Sequence, residues 1–180
     1  KELGQTAVAI TDHGAMYGVI DFYREANKYG IKPVIGCEVY VANRSRFSKE
    51  HLMDWSYHLV LLYENNTGYK NLIKLVSSGF TEGFYKKPRV DKELLKKHHE
   101  GLIALSACLA GRVPLLLLKG EYAEAVSAAQ ELAEIFGKDN FYIELQDHGT
   151  EETKQIMPLL VKLAEETGLP MVATNDCHYL

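Results

Sequence analysis

The sequence predicts an α/β protein whose mainly parallel sheet closes, or nearly closes, into a barrel. Three observations carry this. Short apolar runs bounded by glycine or polar turns alternate along the whole chain with stretches of helical periodicity. The far end of the chain repeats the design of its start, an apolar run leading into Asp and His. Several runs end in acid and imidazole residues, as strands do where α/β proteins keep their chemistry.

Lys1-Glu2-Leu3-Gly4 reads as the last turn of a helix with a glycine stop, so the chain is expected to start within a domain. Ala7-Val8-Ala9-Ile10 is expected to be a short buried strand leading into Thr11-Asp12-His13-Gly14. A helix follows over 15–29, stopped by Gly30, and then a strand over 34–41 whose interior is apolar except at Glu38. Residues 42–56, with Arg44, Arg46, Lys49 and Asp54, read as an exposed excursion. His58-Leu59-Val60-Leu61-Leu62 is a third strand, and Asn65-Asn66-Thr67 caps a helix to about 78.

Residues 79–89 mix Phe80, Phe84 and Tyr85 with Lys86, Lys87 and Arg89. Aromatics among cations can stack on and neutralise a nucleic-acid strand; a solvated loop that tucks its aromatics into the core is the alternative. A short helix over 91–98, a strand over 102–106 ending at Ala107-Cys108, and a buried apolar stretch over 115–118 come next. The 121–136 helix shows Tyr122, Val126, Ala129, Ala133 and Phe136 on one face. Strand 141–145 runs into Gln146-Asp147-His148-Gly149; Thr150 caps a helix to Gly168 with a kink at Pro158. The last strand, 171–174, is likewise expected to be buried and ends in Asn175-Asp176-Cys177-His178-Tyr179.

The 180 residues suffice for one domain with a substantial core. A net charge of -4 excludes a global pull towards nucleic acid, so any phosphate contact is local or metal-mediated. Three cysteines make no disulfide framework, and no apolar run is long enough for a membrane helix, which points to a reducing, cytoplasmic setting.

Near the strand ends lie His13, Glu38, His58, Cys108, Asp176 and His178, with Asp12, Glu144, Asp147 and His148 close by. Imidazole, carboxylate and a thiol suit zinc, manganese or iron. In a parallel barrel such residues are expected to converge on one rim, where two or more metals suit phosphate-ester hydrolysis. Asp176 and His178, two apart on an extended segment, share a face. Each residue also has a plainer reading. Glu38 can face solvent on an edge strand, and His58 lies at the start of its strand, on the wrong rim for a barrel site. Cys108 can be a packed thiol, Asp12 a helix cap or an orienting group behind His13, and Asp147-His148 an ordinary turn.

Ile10-Thr11-Asp12-His13-Gly14, Ile35-Gly36-Cys37-Glu38, Tyr57-His58-Leu59-Val60-Leu61-Leu62, Leu105-Ser106-Ala107-Cys108-Leu109-Ala110-Gly111 and Ala173-Thr174-Asn175-Asp176-Cys177-His178-Tyr179 resemble the polymerase and histidinol phosphatase (PHP) domain. Residues 64–72 and 84–91 resemble the branch at the N-terminus of the bacterial DNA polymerase III alpha subunit. The resemblance covers nearly the whole chain. It implies a distorted (β/α)7 barrel with a trinuclear metal cluster, zinc first, and manganese or iron as alternatives. It implies His13, Glu38, His58, Cys108, Asp176 and His178 as metal ligands, His13, Asp176 and His178 as catalytic residues, and Asp12 behind the ligands. Glu144 and His148 are weaker candidates, and Lys86, Lys87 and Arg89 are candidate nucleic-acid contacts.

The family opens with a strand carrying His-x-His and, soon after, an Asp; the chain begins beyond it. Residues 1–180 are therefore expected to be a single PHP domain, truncated at both ends, without the first strand and without the polymerase's catalytic carboxylates. With fewer ligands, metal binding and hydrolysis are expected to be weak. The implied activity is metal-dependent 3'–5' removal of nucleotides within a replicative polymerase, with DNA, other replicase subunits and a proofreading exonuclease as partners and no membrane. A structural module that docks such an exonuclease, or a stand-alone phosphatase, is the alternative.

Overall fold

The computed structural model describes residues 1–50 and 55–178. Asp54 and Tyr179 lie outside the described residues. Chain contacts form two units. The first comprises the residues before Tyr57 together with Val60–Leu102; the second comprises Tyr57–Leu59 and the chain from Ile103 onward.

In the first unit β1 (Ala7–Ile10) pairs in parallel with β2 (Lys32–Ala42), in a register running from Ala7↔Lys32 to Ile10↔Ile35. The crossover is α1 (Val19–Lys28), and Gly30 leaves it with a positive φ of 64°. The helix starts later than its periodicity suggests, because Gly14, at φ 65°, turns the chain first. From Ile35 to Ala42 every residue of β2 is buried, as in a strand covered on both faces. β3 (Ser56–Tyr63) leads into α2 (Asn66–Thr81), where Asn65 caps by accepting from Gly68 N at 3.0 Å. At Gly68 a Cβ would collide with the Gly101 carbonyl oxygen, so only glycine lets this first turn seat there.

β4 is only Arg89–Val90, paired in parallel with β2 through Tyr40↔Arg89. Two residues show no periodicity, so the strand is invisible in the sequence. α3 (Lys92–Lys97) follows, capped by Asp91, whose Oδ1 accepts from Leu94 N at 3.0 Å.

In the second unit β5 (Leu102–Leu105) pairs in parallel with β6 (Phe141–Leu145), and β6 with β7 (Met171–Ala173). Between them come α4 (Arg112–Leu118), α5 (Tyr122–Phe136) and α6 (Glu151–Thr167). The apolar stretch over 115–118 is the end of α4, and Pro114 sits in that helix's first turn, where its missing N–H costs nothing. α5 buries Ala125, Ala128, Ala129, Leu132, Ile135 and Phe136. Tyr122, Val126 and Ala133 lie on the flank of that face, because the alanines are the residues small enough for close packing on α4.

Three expectations change. β1 and β7 are not buried: Val8 is 38% and Met171 43% exposed, because among the described residues each has a strand neighbour on one side only. Of the aromatics of residues 79–89, Phe80 and Phe84 are not tucked into the core but stay exposed, while Tyr85 is half-buried. The excursion over 42–56 is not wholly exposed either, because Arg46 is buried.

Arg46 Nη1 donates to Asp91 Oδ1 at 2.9 Å, its backbone N to Asp91 Oδ2 at 3.0 Å, and its Nε to Glu82 Oε2 at 2.8 Å. Arg89 crosses beneath, donating to the carbonyls of Gly83, Arg46 and Ser48. Asp91 thus holds a buried cation and caps a helix together. Asp91→Ala is expected to cost about 1–3 kcal/mol for the charged hydrogen bonds that the guanidinium loses and about 1 kcal/mol for the cap. Glu82→Ala, at an exposed carboxylate, is expected to cost far less. Urea denaturation of the two variants checks the order; equal losses would contradict it.

Candidate metal centre

In the first unit the site begins where β1 gives out. Glu38 N donates to Asp12 O at 3.1 Å and Gly14 N to Glu38 O at 2.8 Å, so parallel pairing continues past the strand as a His13↔Glu38 bridge. This sets His13 Nε2 3.2 Å from Glu38 Oε1. Glu38 is only 4% exposed, while the His13 side chain remains half open. Glu38 therefore does not face solvent, which removes its plainer reading. Gly14 has no room for a side chain: a Cβ would lie 2.9 Å from Pro88 Cγ and 2.9 Å from Tyr40 Cε2.

Asp12 takes part through its carbonyl, which also accepts from Cys37 Sγ at 3.3 Å. Its carboxylate lies by Gly18, ahead of α1. Burial pushes the Cys37 thiol up to about 12, against hydrogen bonds from the Ala15 and Gly14 backbone. Its S–H is spent on the Asp12 carbonyl.

In the second unit the loop after β5 reverses on itself. Ala107 has φ 64°, and Gly111 N donates to Cys108 O at 2.8 Å. The returning loop runs beside the start of β3, where His58 N donates to Ala110 O at 3.0 Å. Cys108 Sγ and His58 Nδ1 come within 3.5 Å. His58 reaches a candidate ligand because the loop comes back to it, not because its strand ends there. A thiol beside an imidazole suits zinc or iron.

Past β7 the chain is not extended as expected. Asp176 has φ 45°, so the two-residue alternation fails, yet the turn still gathers the pair. His178 Nδ1 lies 2.9 Å from Asp176 O and 3.7 Å from Asp176 Oδ1, and His148 Nε2 lies 4.0 Å from Asp176 Oδ2. Asp147 closes a turn by accepting from Gly149 N at 2.9 Å, which is its plainer reading.

Glu144 Oε1 accepts from Thr174 Oγ1 at 2.6 Å and Gln146 Nε2 at 3.0 Å, while Ser106 Oγ accepts from Glu144 N at 2.8 Å. This buried network ties the ends of β5, β6 and β7 together. Ser106, Gln146 and Thr174 escaped notice because single uncharged residues after strands carry no spacing signal. Glu144 Oε2 is buried, and among the described residues no side chain donates to it. Burial raises the carboxyl's pKa, the hydrogen bonds from Thr174 and Gln146 oppose this, and the Asp176 charge adds to the rise.

Lys86 and Lys87 are exposed, but Arg89 is 1% exposed and spent on backbone carbonyls, so Arg89 is withdrawn as a nucleic-acid contact. Within each unit the donors, a buried carboxylate beside an imidazole in the first and a thiol beside an imidazole in the second, fit a divalent metal ion.

A family model described as the PHP domain matches residues 1–148. The DNA polymerase III subunit alpha of Treponema pallidum is 52% identical over 181 residues, covering 99% of this chain and 16% of that protein. The Borreliella burgdorferi protein of that name is 46% identical over 182 residues, covering 100% of the chain and 16% of its own length. The one from Thermus aquaticus is 46% identical over 177 residues, covering 97% and 14%. The chain thus spans about a sixth of the length of these relatives. A solved Bifidobacterium adolescentis protein, named for metal-dependent phosphoesterase activity, matches 99% of this chain and 79% of its own. Its TM-score is 0.53 at 13% identity, a likeness of fold alone. The fold class is the distorted (β/α) barrel type expected from the sequence.

Two outcomes follow from the buried groups. Because the folded pKa of Glu144 lies above its unfolded value, its contribution is full below the unfolded pKa and is lost as pH rises through the folded one. Glu144→Gln is therefore expected to be at least as stable as wild type at pH 7 in EDTA, and its advantage should shrink towards pH 4. Melting curves at both pH values check this; an advantage that grows on acidification would contradict it. Alkylation of the native protein is expected to label exposed Cys177 well before Cys37. Peptide mapping after a short pulse of iodoacetamide reads the order, and prior labelling of Cys37 would contradict it.

Proposed function

The chain belongs to the PHP family, in the form carried by DNA polymerase III alpha subunits, and we propose that it is a metal-dependent phosphoesterase segment of a bacterial replicative polymerase. The observation that carries this is the His13–Glu38 pair, an imidazole 3.2 Å from a buried carboxylate at residues the family resemblance assigns as ligands. His13, Glu38, His58, Cys108, Asp176 and His178 are proposed to hold the metal ions, with zinc favoured by the thiol. Bound ions would supply Lewis-acid activation of water and offset the charge of a phosphodiester.

The protein's part is to hold these donors ready. The doubled backbone hydrogen bond between the 12–14 corner and Glu38 keeps the first pair in place. The reversed loop keeps Cys108 at His58, and the Glu144 network supports the chain that leads to Asp176. Asp12 is a positioning residue acting through its carbonyl. His13, Asp176 and His178 are proposed to hold or move protons at the scissile phosphate. The substrate is proposed to be the 3' end of a DNA strand, cleaved 3'–5', and the partners to be other replicase subunits, a proofreading exonuclease among them. The setting is proposed to be the bacterial cytoplasm; among the described residues no helix is long and apolar enough to cross a membrane.

The test uses the natural full-length polypeptide, freed of any separate exonuclease, and follows nucleotide release from a labelled single-stranded oligonucleotide with and without added zinc or manganese. Asp176→Asn and His58→Asn are expected to lower release by roughly 100-fold and to leave DNA synthesis measurable. Cys108→Ser is expected to lower zinc content more than manganese content. Release that survives all three substitutions would overturn the assignment. Bound metal without release in the wild type would favour the structural-module reading.

A further inference from the structure

The first unit carries an exposed aromatic row with no part in the proposed chemistry. Tyr17 is 84% exposed, Phe80 39% and Phe84 50%. The Tyr17 and Phe80 rings are 6.5 Å apart, and the Phe80 and Phe84 rings 6.3 Å apart and within 25° of parallel. Three large aromatic rings in contact at the surface are uncommon when nothing covers them.

The turn that follows the row is built to present charge. Tyr85 N donates to Lys87 O at 3.1 Å, and Lys86 is held at φ 62°, a conformation a non-glycine residue adopts at a cost. Among the described residues neither Lys86 nor Lys87 forms an ion pair, and Lys87 Nζ lies 4.2 Å from the centre of the Tyr40 ring. The nearby acid Glu82 is tied to Arg46. The row and the turn also connect to His13. Tyr17 is four residues on, and Gly14, next to His13, is pressed against Tyr40 and Pro88.

We propose that Tyr17, Phe80 and Phe84 form a stacking platform for the bases of a single nucleic-acid strand, with Lys86 and Lys87 meeting its phosphates. Base stacking on aromatic faces tolerates any sequence, and two unpaired cations beside the rings supply the charge complement that a purely apolar protein partner would not need. The proposal rests on the phosphodiester reading for its orientation: the platform leads a strand towards the corner that holds His13. It adds the residues that would grip the strand away from the bond cleaved.

The experiment uses the natural full-length polypeptide in EDTA, which blocks metal-dependent cleavage. A single-stranded oligodeoxynucleotide bearing 5-iododeoxyuridine is crosslinked at long wavelength, and the attached peptides are mapped by mass spectrometry, so DNA sites elsewhere on the chain do not obscure the result. Crosslinks are expected on Tyr17, Phe80 or Phe84. Lys86→Gln with Lys87→Gln is expected to lower their yield several-fold at moderate salt and less at low salt. In a separate assay without EDTA and with zinc or manganese added, Tyr17→Ala with Phe84→Ala is expected to leave hydrolysis of the small diester bis(4-nitrophenyl) phosphate within about twofold of wild type, because the small diester has no bases to stack. Absence of crosslinks from all three residues overturns the platform, as does capture of a polypeptide segment by this face with DNA crosslinks elsewhere. Crosslinks at the platform in a protein that never hydrolyses the small diester would retain the platform and sink the phosphoesterase reading instead.

Discussion

The candidate ligands of the first unit depend on one pair of backbone hydrogen bonds. Where β1 ends, Glu38 N meets Asp12 O and Gly14 N meets Glu38 O, so parallel pairing outlasts the strand by three residues. Side chains on paired positions of parallel strands project together, which is why an imidazole and a buried carboxylate stand 3.2 Å apart. Gly14 is required there because the turn needs a positive φ and because Tyr40 and Pro88 fill the space a side chain would take. The same close packing joins the corner to the lysine turn that follows the aromatic row.

In the second unit backbone strain takes the place of strand pairing. Ala107 and Asp176 both have positive φ, at a cost of about 1–3 kcal/mol each for non-glycine residues. Each lies beside a candidate ligand: Ala107 precedes Cys108, and Asp176 is itself one. The strain is offset by the hydrogen bonds that close the loop and by the buried Ser106–Glu144–Thr174 contacts. Unusual backbone at these positions is consistent with selection for where the side chains go rather than for stability.

Most elements were legible because their signals are local. Asn65, Asp91 and Thr150 cap the helices they were expected to cap or precede, and the apolar runs became strands. What the sequence hid was tertiary. The two-residue β4 has no period, and Arg46 looked solvated until Asp91 and Glu82 closed on it. The exposure of β1 and β7 follows from their position with one strand neighbour each among the described residues, which no apolar count reveals. At the site, residue types were readable but routes were not. His58 looked misplaced because strand direction says nothing about a loop that doubles back, and Asp176 reached His178 by a turn instead of a pleat. Arg89 shows the limit of composition: a cation among aromatics, yet buried beneath its neighbours.

X-ray absorption at the zinc edge, on the natural full-length protein loaded with a single equivalent of zinc, tests the central claim most directly. A centre that includes Cys108 and imidazoles requires a sulfur shell at about 2.3 Å beside nitrogen or oxygen at about 2.0–2.1 Å, with the sulfur shell gone in Cys108→Ser. A wild-type spectrum with nitrogen and oxygen alone, or zinc that is lost on simple dialysis, would contradict the account.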